Sequence, residues 1–119
     1  MSKTNNIVDI ISAGIRAEAL RQKAITNNVA NLQTPGYRRV DVKFKELLAQ
    51  ALDSSGAVDL DEIEAQIYQP KETVVQSNGN DVSLETEVGE MVKNSLHHKA
   101  YIRLLQKKYQ QLELAIDVK

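Results

Sequence analysis

The chain has 119 residues, a formal charge of −1, an aromatic content of 4% and no cysteine. A near-neutral charge gives no basic field for nucleic acid, and the absence of cysteine excludes disulfides and thiolate metal sites. No apolar run approaches the roughly 18 residues of a membrane span, and the first residues do not resemble a cleavable secretory signal, so we expect any export to use another route.

Residues 5–33 show the periodicity of one amphipathic helix. Most positions in two rows at seven-residue spacing are apolar, but Glu18 and Gln22 interrupt the pattern at its centre. The rows are Val8, Ile15, Gln22 and Val29, and Ile11, Glu18, Ile25 and Leu32. Small residues beside the rows, including Gly14 and Ala17, would let a neighbouring element approach closely.

A turn is predicted directly after this helix. Pro35 cannot continue a helix and disfavours the α conformation at Thr34, while Gly36 can adopt a positive φ. We therefore predict that the helix ends near Leu32 or Gln33.

Three asparagines precede the turn within five residues, at positions 27, 28 and 31. Asparagine is a poor residue for a helix interior because its amide competes for backbone hydrogen bonds. We interpret these amides as groups that other chains satisfy, and Tyr37 as a further residue that contacts another subunit.

The middle of the chain is less regular. Residues 40–44 alternate like a short strand or extended arm, and residues 45–52 could form a brief helix. The sequence Asp53-Ser54-Ser55-Gly56 breaks the pattern. Residues 57–77 are predicted to be a loop or small hairpin that orders only against a partner.

The most strongly predicted element is a helix over residues 84–117. Ser83 is its expected N-cap, and Glu85 and Glu87 place negative charge in its first turn. Apolar residues recur at alternating spacings of three and four over four heptads, which is typical of a coiled coil. The row is Val88, Met91, Ser95, His98, Ile102, Leu105, Tyr109, Leu112 and Ile116.

These elements predict a mostly α fold, in which long N- and C-terminal helices pair as an antiparallel coiled coil and an irregular middle segment could include short strands. We divide the chain into an N-terminal helix and turn (1–36), a variable arm (37–77) and a C-terminal helix (78–119). Pairing alone would leave apolar flanks such as Leu96, Leu104 and Leu114 in water, so we expect further helices from other subunits to cover them.

No catalytic, cofactor or metal site is predicted. His97 and His98 point about 100° apart on a helix and lack a third ligand in register, and the glycines form no phosphate-binding loop. Ser95 and His98 lie one turn apart without an orienting acid or an oxyanion hole. We therefore predict that the protein is not an enzyme.

The segment Ala24–Tyr37 resembles the N-terminal signature of bacterial flagellar rod and hook proteins, N-N-[IV]-A-N-x-x-T-P-G-[YF], at every fixed position. Residues 79–85 and the helix after them resemble the proximal rod members of that family, although Ser83 stands where those members usually carry aspartate.

The resemblance implies a structural protein of the periplasmic rod that polymerises through its terminal helices, transmits torque and encloses the export channel. It also implies type III export without a cleaved signal peptide. The implied partners are copies of itself, other rod proteins, and the membrane ring and export gate, with no cofactor, nucleic acid or small-molecule substrate.

The predicted subunit interface combines the turn signature with the helical rows. It consists of Val8, Ile11, Ile15, Ile25, Asn27, Asn28, Val29, Asn31, Leu32, Thr34, Pro35, Gly36, Tyr37, Val88, Met91, Ile102, Leu105, Tyr109, Leu112 and Ile116. Two alternatives stay open: a neighbouring rod protein of the same family, and a soluble helical adaptor or export chaperone that binds an amphipathic partner helix.

Overall fold

A computed structural model describes residues 7–53 and 65–117, and for residues 50–53 it describes the backbone alone. The described elements are α1 (Ile7–Ala30), β1 (Asp41–Lys43), α2 (Lys45–Asp53), β2 (Gln66–Tyr68) and α3 (Leu84–Asp117). Helices α1 and α3 run antiparallel, because Asn28 contacts Glu87 and Glu18 contacts Asn94. The predicted mostly α fold with paired terminal helices is therefore confirmed. Within the described ranges, no helix is both long and apolar enough to cross a membrane.

Helix α1 ends earlier than the sequence predicted, at Ala30 rather than near Leu32. The amide of Asn31 bonds to the carbonyls of both Asn27 and Asn28, so the last turn tightens before the chain leaves the helix. Gly36 has the predicted positive φ, at 76°.

One of the two predicted rows of α1 faces the interior. Ile11, Glu18 and Ile25 are buried, which confirms this row and shows that Glu18 does not interrupt the packing but takes part in it. In the other row, Gln22 is exposed and Val29 is half-buried.

Two short strands of the middle segment form a small antiparallel sheet within the chain. Strands β1 and β2 pair antiparallel with Val42 opposite Ile67, so the expectation that this segment orders only against a partner is wrong for residues 66–68. Helix α2 confirms the predicted short helix. The only phenylalanine, Phe44, packs against Ala13 and Ala17, whose small side chains make room for its ring. The predicted break at residues 54–56 and the acidic stretch 57–64 lie outside the described residues.

Helix α3 has the predicted bounds and the predicted cap, since the Ser83 hydroxyl accepts a hydrogen bond from the Thr86 amide at 3.4 Å. Its orientation differs from the prediction. The α3 residues in contact with α1 are Glu87, Asn94 and Tyr101, each one residue before Val88, Ser95 and Ile102 of the predicted row. The first half of α3 therefore meets α1 through polar residues, whereas Ile102 and Leu105 of the predicted row are half-buried farther along the helix.

Candidate assembly surface and the polar contacts that position it

A group of buried polar side chains joins the end of α1 to the start of α3. We call it the polar clasp, and it comprises Asn28, Arg39, Asn80, Asp81 and Glu87. At most 7% of any of these residues is exposed, so each polar atom needs a partner within the protein.

Asn28 is the centre of the polar clasp, and its surface is 0% exposed. Its amide nitrogen donates to the Val40 carbonyl and to Glu87 Oε1, both at 2.9 Å. Its amide oxygen accepts from the Val40 amide at 2.9 Å and from the Tyr37 hydroxyl at 3.0 Å. The side chain thus uses its donors and its acceptor within one chain, which explains an asparagine at this position.

The neighbouring asparagines also bond within the chain. Asn27 donates to the Tyr37 hydroxyl at 3.0 Å, and Asn31 donates to the Asn27 carbonyl at 2.8 Å. The interpretation that other chains satisfy these amides is wrong for Asn28, because it was based on helix propensity and could not include the strand and loop that fold back onto the turn. Asn27 is exposed and Asn31 is half-buried, so for these two it stays a prediction. The Tyr37 hydroxyl is likewise used within the chain, and burial raises the pKa of Tyr37.

Glu87 and Arg39 form the charged part of the polar clasp. The Arg39 Nε donates to Glu87 Oε2 at 2.9 Å, and the Glu87 side chain is fully buried. Burial by itself lowers the pKa of Arg39, but the hydrogen bond and charge of Glu87 outweigh that effect and raise it. The pair therefore consists of two charges that satisfy one another away from water.

Asn80 and Asp81 attach the other side of the turn. Asn80 donates to the carbonyls of Asn31 at 2.9 Å and Thr34 at 2.8 Å, which follow the last turn of α1. Asp81 accepts hydrogen bonds from the Arg39 amide and from Arg38 Nε. These bonds hold the segment before α3 against the turn motif.

Two glycines allow this close approach. Gly79 has a φ of 87°, and a Cβ on it would lie 3.2 Å from the Cα of Gly36. The amide of Gly36 donates to the Asn78 carbonyl at 2.9 Å. The Thr-Pro-Gly turn and the Asn-Gly turn are therefore bonded backbone to backbone, and a side chain at Gly79 would separate them.

A second polar contact joins the middle of α1 to α3. Asn94 donates to the Glu18 carbonyl at 2.7 Å and to its Oε1 at 3.2 Å. Arg21 Nε and His97 Nδ1 lie 3.4 and 3.7 Å from the same oxygen. The Arg21 Nε forms an ion pair without hydrogen-bond geometry, and Arg21 makes its hydrogen bond to Asp41 instead, at 3.1 Å.

Further along, the ring of Tyr101 lies over Gly14. A Cβ on Gly14 would be 2.4 Å from the Tyr101 Cζ, so the ring occupies the space that any side chain at position 14 would need. Burial, and then the charge of Glu18, raise the pKa of Tyr101. The small residue predicted to allow close approach thus receives an aromatic ring of α3.

From Val88 onward, large apolar side chains remain uncovered on α3. We call this set the outer apolar surface, and each member is between 44% and 67% exposed. It consists of Val88, Met91, Val92, Leu96, Leu104, Tyr109, Leu112, Leu114 and Ile116. An exposed apolar set of this size on one helix marks a protein-interaction surface more often than a free one.

The predicted interface residues fall into four groups. Three are buried by their own chain: Ile11, Ile25 and Asn28. Five lie on the outer apolar surface: Val88, Met91, Tyr109, Leu112 and Ile116. Eight are half-buried: Val8, Ile15, Val29, Asn31, Leu32, Tyr37, Ile102 and Leu105. Four at the end of α1 and in the turn are exposed: Asn27, Thr34, Pro35 and Gly36.

The sequence alone did not reveal Arg39, Asn80 and Asn94 as residues that hold the two helices together. Their contacts join residues 48, 49 and 76 positions apart, and no local periodicity indicates a pairing over such distances. The one signal in the sequence was the presence of polar residues inside or beside an otherwise apolar helical pattern, as at Glu18.

Comparison with known proteins gives a consistent assignment. Residues 11–38, which include the turn motif, match the family model of flagella basal body rod proteins. The flagellar basal body rod protein FlgB of Cereibacter sphaeroides is 30% identical, over 87% of this chain and 91% of its own length. FlgB of Bacillus subtilis is 26% identical over 98% of this chain and 97% of its own length, and FlgB of Aquifex aeolicus is 28% identical over 70% of each.

Proposed function

Because the chain belongs to the FlgB family of flagellar basal body rod proteins, we propose that it polymerises through α1 and α3 and that the assembled helices transmit torque and enclose the export channel. Its class is structural: a component of the basal body rod that assembles with other rod proteins.

The outer apolar surface is the observation that supports polymerisation. Its nine side chains are about half exposed, so covering them would contribute roughly 7 to 15 kcal/mol of gross burial energy before the cost of association. Within the described residues, helix α1 contacts the side of α3 that carries Glu87 and Asn94 and leaves these nine side chains exposed. Helices of neighbouring subunits are the natural cover in a tube of packed helices.

We further propose that the predicted interface residues have two different roles. Val88, Met91 and Leu112 would contact neighbouring subunits, while Asn28 and the rest of the polar clasp hold α1 and α3 in one fixed register. A fixed register matters for torque. If α1 and α3 could slide past each other, the pair would absorb a twisting load and would not transmit it to the next subunit. Buried hydrogen bonds with defined partners resist such sliding.

The proposed partners are those that the family assignment suggests. They are copies of the same chain and other rod proteins along the tube, and the membrane ring and export gate at its base. We propose that the chain reaches the periplasmic rod through the flagellar type III export channel, without a cleaved signal peptide. No nucleic acid, cofactor or small-molecule substrate is part of this role.

Charge substitutions on the outer apolar surface test the proposal. Each variant is expressed in a strain that lacks the gene. We expect cells with Met91→Glu or Leu112→Glu not to swim, and the variant protein to be absent from isolated basal bodies, because a buried unpaired carboxylate opposes packing. Gln110→Glu, on the exposed side of α3, is the matched control and should restore swimming. Circular dichroism of each purified variant checks that the helices are retained. Full motility with both apolar positions charged would refute polymerisation through this surface.

Two alternatives are weaker. The neighbouring rod protein FlgC is not favoured, since the chain belongs to the FlgB family. A soluble adaptor or export chaperone could use the outer apolar surface to bind one partner helix. Cell fractionation separates the two roles: a rod subunit copurifies with basal bodies and its deletion stops swimming, whereas an adaptor stays in the cytosol and its deletion leaves swimming intact.

A further inference from the structure

The first half of helix α3 turns its polar side towards its own partner helix and its apolar side towards water. Glu87 and Asn94 are buried against α1, whereas Val88, Met91 and Leu96 are exposed. The usual amphipathic helix does the opposite, because apolar area gains about 25 cal/mol per Å² when it leaves water. Some specific interaction must hold α3 in this orientation.

The buried carboxylate of Glu18 supplies such an interaction. Only 4% of Glu18 is exposed, and the amide of Asn94 donates to both its backbone carbonyl and its carboxylate. The other groups that face this carboxylate are Arg21 on α1 and His97 on α3. Turning α3 to bring its apolar row inward would carry Asn94 and His97 away and leave a buried charge with fewer partners, which is costly.

Packing at Gly14 favours the same orientation independently. The space over Gly14 is filled by the ring of Tyr101, which lies seven residues after Asn94 on the same face of α3. Rotating the helix would withdraw that ring and leave a gap along α1.

We propose that the contact between Asn94 and Glu18 determines which face of α3 is turned outward, so that the apolar face formed by Val88, Met91 and Leu96 is kept available for assembly. Asn94 and Glu18 are positioning residues, because they act on the neighbouring subunits only through the orientation of α3. What covers the apolar face rests on the proposed function, but the orientation itself is a property of the single chain and can be measured without assembly.

Cysteine labelling can report the orientation, since the natural chain contains no cysteine. Ser95→Cys is a nearly isosteric probe in the exposed row that would turn inward, and Ala100→Cys is an exposed control on another side of α3. The full chain carrying one probe is labelled with iodoacetamide at a concentration where light scattering detects no polymer. We expect Glu18→Leu to slow labelling at position 95 about tenfold, because labelling then requires a local opening, and to leave position 100 unchanged.

Two further variants make the test decisive. Glu18→Gln keeps an oxygen acceptor for Asn94 and should leave the labelling rate at position 95 unchanged. Asn94→Asp places a second carboxylate against Glu18 and should slow labelling at position 95 as Glu18→Leu does. In both slowed variants, the nuclear Overhauser contact between the Tyr101 ring and Gly14 should disappear.

Unchanged labelling and a retained Tyr101–Gly14 contact in Glu18→Leu and Asn94→Asp would overturn the proposal. Loss of helicity in both variants would overturn it as well. The contact would then be needed for α1 and α3 to pair at all, and it would not determine which face of α3 is turned outward. Failure of the charge variants on the outer apolar surface to affect swimming would refute polymerisation through that surface and leave the labelling result intact.

Discussion

Removing the buried carboxylate of the polar clasp should cost a large share of the stability of this chain. In Glu87→Ala, Asn28 loses one acceptor and the Arg39 guanidinium loses its hydrogen-bonded partner at 2.9 Å. The nearest remaining anion is Asp41, whose Oδ2 lies 3.8 Å from Arg39. Removing one partner of a buried ion pair costs about 3 to 5 kcal/mol, because the other charge stays buried and uncompensated.

The measurement is urea unfolding at pH 7, followed by circular dichroism at low protein concentration. Glu85→Ala is the matched control: it removes an exposed carboxylate from the same first turn of α3 and should cost no more than about 1 kcal/mol. Replacing both partners, with Glu87→Leu and Arg39→Met, should recover much of the loss, since no buried charge remains. A cost for Glu87→Ala as small as that of Glu85→Ala would refute the role assigned to the polar clasp.

Three other predictions concern the close contacts at Gly14 and Gly79 and the half-buried Tyr101. Gly14→Ala should destabilise the chain by about 1 kcal/mol, because the strain of displacing the Tyr101 ring exceeds the helix-propensity gain; in a Tyr101→Ala background the same change should stabilise it. Gly79→Ala should lower the free energy of unfolding by about 1 to 3 kcal/mol, since it combines a positive φ with a Cβ against Gly36. Gly89→Ala is the control, because its Cβ meets no atom within 4 Å and it should stabilise the helix; thermal unfolding compares the two variants. Because burial raises the pKa of Tyr101 above its unfolded value of 10.0, the folded state favours the neutral phenol, so stability is full below pH 10 and falls as the pH rises further. Urea unfolding across that range should show a shallower fall for Tyr101→Phe, and an identical slope would contradict the assigned burial.

The sequence was sufficient for the elements whose causes are local. The bounds of α3 follow from a cap at Ser83 and a long heptad pattern, and the turn after α1 follows from Pro35 and Gly36. These features depend on residues within about one helical turn of each other, so they can be derived without knowledge of the fold. The turn signature also indicated the family that the relatives later established.

The direction in which α3 faces could not be predicted in the same way. Apolar periodicity favoured the row that begins at Val88, but the structure brings Glu87 and Asn94 against α1 because Asn28 and Glu18 offer them partners. Those partners are 59 and 76 residues away in the chain. Periodicity measures how much apolar area a face carries, and it contains no information on which buried polar groups need a donor or an acceptor.

The sequence by itself therefore determined two long helices, the turn between α1 and the arm, and more apolar side chains on α3 than one partner helix could cover. Only the tertiary structure decided that the asparagines of the turn motif bond within the chain and that much of the apolar excess faces outward. The physical reason is that helix formation is governed by short-range backbone and side-chain preferences, whereas the orientation of one helix on another is set by the pairing of buried polar groups from distant segments.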